Sequence, residues 1–141
     1  MKKVLYVVAA GLALFGLIQL VPIGKTYTNP PVVSEPNWSS PEARQLAKQA
    51  CFQCHSNETT WPWYSRIAPA SWLIAFDVQG ARSKFNFSDW NNHPGELDEM
   101  IAAINEGEMP PIQFWLFHPE ARMNEQQRQA LIQALESSLG Q

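Results

Sequence analysis

The chain has 141 residues, 45% of them hydrophobic, which leaves room for one compact domain and a short appendage but not for two independent cores. Its formal net charge is -3 and its basic residues form no cluster, so it lacks the electrostatic footprint of a nucleic-acid binder. The only two cysteines, Cys51 and Cys54, lie too close together to staple distant segments, which excludes a disulfide framework and gives their spacing a local meaning.

Lys2 and Lys3 precede an apolar run from Val4 to Val21 that is interrupted by Gly11, Gly16 and Gln19, the pattern of a membrane-insertion signal. A cleavable signal peptide would place small residues one and three positions before the cut, whereas this run leaves through Leu20, Val21, Pro22 and Ile23. Retention as an N-terminal membrane anchor over residues 1–24 is therefore expected. A cleaved signal is the alternative, because the run is near the lower limit of the ~17 to 25 residues that span a bilayer. With the positive residues on the cytoplasmic side, the rest of the chain is expected outside the cytoplasm: at a bacterial inner membrane, with the C-terminal domain in the periplasm.

Residues 25–39 carry Pro30, Pro31 and Pro36 among Thr, Asn and Ser, with no sustained hydrophobic period, and read as an extended linker. The domain proper is expected over residues 40–141. Ser39 and Glu42 have capping-box spacing, Pro41 suits a first helical turn, and Ala43, Leu46, Ala47 and Ala50 continue a helix into Cys51. Trp61, Pro62, Trp63 and Tyr64 follow no regular period, which predicts an ordered, aromatic-rich loop. Pro69 opens a second helix whose apolar face is expected to hold Trp72, Leu73, Phe76 and Gly80. Phe85, Phe87 and Trp90 alternate with polar residues over too short a run for a sheet and read as loop. A third helix carries Leu97, Ile101 and Ile104, with Gly107 placed to end it before Met109, Pro110 and Pro111. Asn124 and Gln127 then cap a terminal helix with Leu131, Ile132, Leu135 and Leu139 on its apolar face. The pattern is all-α: about four helices with long loops, plus the N-terminal anchor helix.

Residues 51 to 55 read Cys-Phe-Gln-Cys-His. In a C-x-x-C-H motif two thiols reach the two vinyl groups of one haem, while the adjacent imidazole meets the iron. Cys51 and Cys54 would hold the cofactor by thioethers and His55 would supply an axial nitrogen. Zinc would need a fourth ligand, with only His93 and His118 left to complete a tetrahedron. A redox-active dithiol would be expected beside a βαβ pattern, which is absent, and has no use for the His. One covalent haem c is the expected cofactor.

For the second axial position Met109 is the leading candidate, because Pro110 keeps it out of helical dihedrals and Pro111 stiffens the segment. His118 is an alternative that would give bis-His ligation, His93 borders a turn, and Met100 and Met123 sit where packing is the commoner use of an adaptable side chain. The metal ligands are thus expected to be His55 and Met109. Six Trp in so short a chain offer large flat surfaces, and Trp61, Trp63, Tyr64 and Trp72 are candidate cofactor contacts, with Trp115 a further possibility. Arg66, Arg82, Tyr64 or an indole N–H has the chemistry to bind haem propionates.

The residues around the motif resemble the bacterial haem-binding-domain family of short exported proteins. The likeness runs through Cys51 to Ser56, Trp61 to Tyr64, Ala68, Pro69 and Trp72, Asn86 to Trp90, Gly107 to Pro111 and His118, and extends to Asn29, Pro30 and Pro31. The resemblance implies a cytochrome-c-like helical domain around one covalent haem, with Met109 in the place of the family's Met-Pro segment. The expected role is one-electron transfer with other redox proteins as partners, as a carrier and not a catalyst. The competing role is a small-ligand sensor or peroxidase-like enzyme whose distal ligand is displaceable.

Overall fold

The computed structural model describes residues 1–23 and 27–140, so the expected junction of anchor and linker at Gly24 and Lys25 lies outside the described residues. Among the described residues there are seven α-helices and no strand: α1 (Lys2–Ile18), α2 (Pro41–Ala50), α3 (Phe52–His55), α4 (Ala70–Lys84), α5 (Leu97–Asn105), α6 (Ile112–Phe117) and α7 (Glu125–Leu139). The all-α expectation holds. The N-terminal helix and the four others read from the sequence are α1, α2, α4, α5 and α7, and the short α3 and α6 are added to them.

The chain divides into two compact units, one of Met1–Thr28 with Thr60–Gln79, the other of Asn29–Thr59 with Gly80–Gln141. In the first unit α1 buries no side chain, and every apolar residue before Ile18 is exposed, Leu5, Leu12 and Leu17 among them. No helix among the described residues is long and apolar enough to cross a membrane. α1 has 17 residues, and at ~1.5 Å per residue its ~25 Å falls short of a ~30 Å hydrocarbon core. Just past its end, Gln19 clasps one peptide group: its Nε2 donates to the Ala68 carbonyl at 3.1 Å, and the Ala68 N–H donates to its Oε1 at 2.9 Å. A 3-10 turn (Trp63–Arg66) lies in the aromatic loop. The expected apolar face of the helix after Pro69 is corrected here. Ser71, Ala75 and Val78 of α4 are buried, while Leu73 and Phe76 face outward.

In the second unit α7 packs against both α2 and α5. Ala47 and Ala50 are small enough to let α2 approach closely, and they meet Leu131, Ile132 and Leu135 of α7 and Met100 and Ile104 of α5 in one apolar cluster. Phe52 and Phe87 complete it, with ring centroids 5.3 Å apart, and Trp38 lies 5.2 Å from Phe87. The caps explain where the helices begin and stop. Asn124 and Gln127 form the expected capping box of α7. Gly107, at φ +75, ends α5 in a Schellman turn: the Glu108 N–H donates to the Ala103 carbonyl and the Gly107 N–H to that of Ile104. The α2 cap is one residue later than its capping-box spacing predicts. Ser40 accepts from the Ala43 N–H, with Pro41 as the first helical residue, and Ser39 instead bonds Ser137 and Ser138 of α7.

The Pro-rich segment is extended, and it is tied to this unit. The Val33 and Ser34 N–H groups donate to the Ser88 carbonyl, and the Trp90 N–H donates to that of Ser34. Glu35 accepts two bonds from Arg44, at 2.6 and 2.7 Å, and one from the Trp38 indole.

Candidate functional site

Cys51 caps α2 with its N–H on the Ala47 carbonyl, and its own carbonyl accepts from Cys54 and His55, so the motif closes as the single turn α3. At positions i, i+3 and i+4 of one helical turn, Cys51, Cys54 and His55 share a face. Phe52, between them, points into the apolar cluster and anchors the turn from behind. Both thiols are half-buried. Burial, with the Cys54 thiol adding to it, pushes the Cys51 thiol up to about 12. A thiol so far from ionising is a poor redox nucleophile, which weighs against a dithiol exchange site.

His55 is buried, at 6% exposure. Burial pushes its imidazole down to about 4 with help from the Lys84 charge, against the opposing pull of the Phe85 and Ala81 carbonyls, so the ring is neutral near pH 7. Its Nδ1 lies 3.3 Å from the Phe85 carbonyl, and a carbonyl only accepts. The contact therefore favours the proton on Nδ1, which leaves the lone pair on Nε2, a tautomer suited to binding a metal. The ring also stacks on Phe85, centroids 3.8 Å apart and planes within 8°.

A polar latch fixes the backbone on either side of this histidine. The Phe87 N–H donates to the His55 carbonyl at 2.8 Å, and the Asn57 N–H donates to Ser88 Oγ at 2.9 Å. Asn86 donates through Nδ2 to Asn57 Oδ1 and accepts from the Ser88 N–H, each at 2.9 Å. All four polar residues Ser56, Asn57, Asn86 and Ser88 are buried. Arg82 binds the loop behind the motif: Nε donates to the Ser56 carbonyl at 2.8 Å, and Nη2 donates to both Thr59 Oγ1 and Asn29 Oδ1. The arginine offered by its sequence position as a propionate partner is thus engaged in holding the loop. Phe85, Asn57, Asn86 and Ser88 were not among the site residues read from the sequence. Asn86 and Ser88 were signalled by the family likeness over Asn86 to Trp90 and Phe85 by the alternation of aromatic and polar side chains, while Asn57 left no signal.

Met109 belongs to the same unit, directly after the Schellman turn, with its N–H on the Ala103 carbonyl and 39% of its surface exposed. Met100 is buried in the apolar cluster, and Met123 packs against it. His118 follows α6 and stacks on Phe114 at 4.5 Å, while His93 is paired with Asp89 at 3.0 Å. Of these candidates, Met109 is the thioether left outside the apolar cluster. No group of three His, Cys, Asp or Glu side chains among the described residues is arranged to hold a metal ion.

Trp61, Trp63, Tyr64 and Trp72 lie in the first unit. The Trp61 and Trp72 indole N–H groups are buried with no hydrogen-bond partner among the described residues. A buried donor of that kind costs about 1–3 kcal/mol unless something accepts from it, and a carboxylate is a suitable acceptor. Tyr64 meets Trp63 edge-on at 5.8 Å. Trp63 is 76% exposed, so burial supplies no reason to place it against a cofactor. Arg66 lies over the Tyr27 ring at 5.7 Å.

The chemistry of the donor set fits a haem: two thiols and a neutral, tautomer-fixed imidazole on one helical face, with a thioether outside the core. A family model described as a haem-binding domain matches residues 13–137, most of the chain. No curated protein and no solved structure matches.

Proposed function

Because the chain belongs to the haem-binding-domain family and is a haem-binding protein, we propose that it carries one haem c and moves single electrons outside the cytoplasm. The observation that carries this reading is His55, buried, neutral and held by Phe85 with Nε2 left as the ligand atom. Cys51 and Cys54, on the same helical face, would hold the group by thioethers, and Met109 would be the second axial ligand. Trp61 and Trp72 are the aromatic candidates with donors still to be satisfied.

When bound, the haem supplies the one-electron couple. The protein's own residues orient and shield it. Phe52 and the Asn57, Asn86 and Ser88 latch keep α3 rigid, so little nuclear rearrangement would accompany a change of charge. If His55 and Met109 both held the iron, no position would be left for a substrate, which favours a carrier over a catalyst. Lys2, Lys3 and the apolar α1 support tethering at a bacterial inner membrane with the haem domain on the periplasmic side. The partners would be other redox proteins, and the acidic balance of the chain suits a basic docking face.

One observation favours a second reading. Met109 is partly exposed and is followed by the exposed side chains of Ile112, Leu116 and Phe117, so its thioether is the less constrained of the two ligands. A ligand that yields to carbon monoxide or cyanide would make the protein a sensor or a peroxidase-like enzyme. Optical spectra of the oxidised and reduced protein separate the readings. The carrier is expected to be six-coordinate and low-spin, unchanged by carbon monoxide, and to lose its sulfur-to-iron band in Met109→Ala. A high-spin wild-type spectrum that shifts with carbon monoxide would instead establish the sensor or catalyst.

A further inference from the structure

The first unit carries an apolar surface that its own packing does not use. On α4, Ser71, Ala75 and Val78 are buried, while Leu73 and Phe76, three residues apart and hence on one side of the helix, are 66% and 72% exposed. Trp63 is 76% exposed. Large apolar side chains left exposed in one compact unit mark a surface with a partner, and an indole is the side chain most at home at the boundary between hydrocarbon and water.

Three observations identify the partner. α1 belongs to the same compact unit, and from Val4 to Leu17 it is apolar and exposed. At 17 residues it falls short of a bilayer's apolar thickness, so a membrane around it is left with a mismatch that flanking residues must absorb. The Gln19 clasp on Ala68 ties the end of α1 to the peptide that directly precedes Pro69 and α4. Leu73 is then about one helical turn beyond that clasp, and Phe76 about two.

We infer that Trp63, Leu73 and Phe76 form a membrane-interface surface, seated among lipid headgroups and upper acyl chains beside α1, so that the protein holds its membrane by an inserted helix and an interfacial foot. The inference rests on the reading that α1 is embedded in a bilayer. A short anchor and an exposed aromatic face, each unfavourable alone, are accounted for together: the foot supplies apolar contact at the depth where α1 ends. Gln19, too polar for the hydrocarbon core, spends its amide on a peptide group at that same level.

The test uses the full haem-loaded chain in vesicles of phosphatidylcholine and phosphatidylglycerol, with single substitutions Leu73→Cys, Phe76→Cys, Leu12→Cys in α1, and Gln126→Cys on the exposed side of α7. Each new thiol is reacted with a water-soluble and with a lipid-soluble maleimide, and the modified position is identified by peptide mass. The ratio of lipid-soluble to water-soluble rate is expected to be at least about tenfold higher at positions 73 and 76 than at 126, with position 12 higher still. Ratios at 73 and 76 equal to that at 126, with position 12 lipid-exposed, would overturn the foot and leave the anchor standing. Slow reaction with both reagents at 73 and 76 would also overturn it, since a protein surface, from a partner or a second copy, would then be the cover. A water-exposed position 12 would overturn the anchor and the foot with it.

Discussion

Asn86 shows how much one side chain controls at this site. Its amide bridges the segment after His55 to the loop before Trp90 by donating to Asn57 and accepting from Ser88, all three of them buried. Asn86→Ala leaves the Asn57 carbonyl oxygen and the Ser88 N–H without partners, and is expected to cost roughly 2–4 kcal/mol, read as a lower thermal midpoint. A variant as stable as the wild type would show that the latch is dispensable. The same scale marks the limit of what the sequence tells. Cys51, Cys54 and His55 were legible because their meaning lies in spacing along five residues. Phe85 was not, because its role is to offer a carbonyl and a ring face to a histidine thirty positions away. The two prolines after Met109 marked it as a rigid loop residue. The place of Met100 inside a helix marked it as a packing residue, and it lies buried in the assembled core.

At the scale of elements, helix ends carried most of the readable information. Gly107 adopts φ +75, where a Cβ is strained but nothing lies within 4 Å to clash with it. Gly107→Ala is therefore expected to cost about 1 kcal/mol through backbone strain alone. Asn124→Ala, which opens the capping box of α7, is expected to cost about 1 kcal/mol as well. The two sites lie on different helices with no shared partner, so the double variant should show the sum in chemical denaturation. A clearly larger loss would mean that α5 and α7 are coupled through their ends. The one-residue shift at α2 has a physical cause: two adjacent serines compete for one cap, and Ser39 is taken by Ser137 and Ser138 of a helix almost a hundred residues later. The apolar side of α4 was misassigned for a related reason. Periodicity finds an apolar stripe, but in α4 Ser71, Ala75 and Val78 are the residues packed inside, and the larger Leu73 and Phe76 face outward. α6 left no pattern to read, since its six residues, Ile112–Phe117, are too few for a period.

For the whole molecule, pH stability should depend on the clasp between the extended segment and α2. The bidentate bond from Arg44, with the Trp38 indole assisting against the cost of burial, holds Glu35 below its ordinary value of 4.5. A carboxyl whose folded pKa is depressed binds protons more readily when unfolded. It contributes stability that is present above about 4.5 and is lost as pH falls through the lower folded value. Glu35→Gln is accordingly expected to be less stable than the wild type at pH 7, with the difference shrinking below pH 4.5. A difference independent of pH would show that the carboxylate charge is not what matters. Every one of these devices, latch, caps and clasp, presents or supports one helical turn bearing two thiols and an imidazole, and the account stands or falls on what that turn holds. The most direct test is to produce the full chain in a host that matures c-type haem, unfold it in acid and denaturant, and record its mass and spectrum beside those of Cys51→Ser with Cys54→Ser. The account predicts one haem that stays attached to the unfolded wild-type chain and is lost from the variant; haem that washes away from both, or none at all, would contradict it.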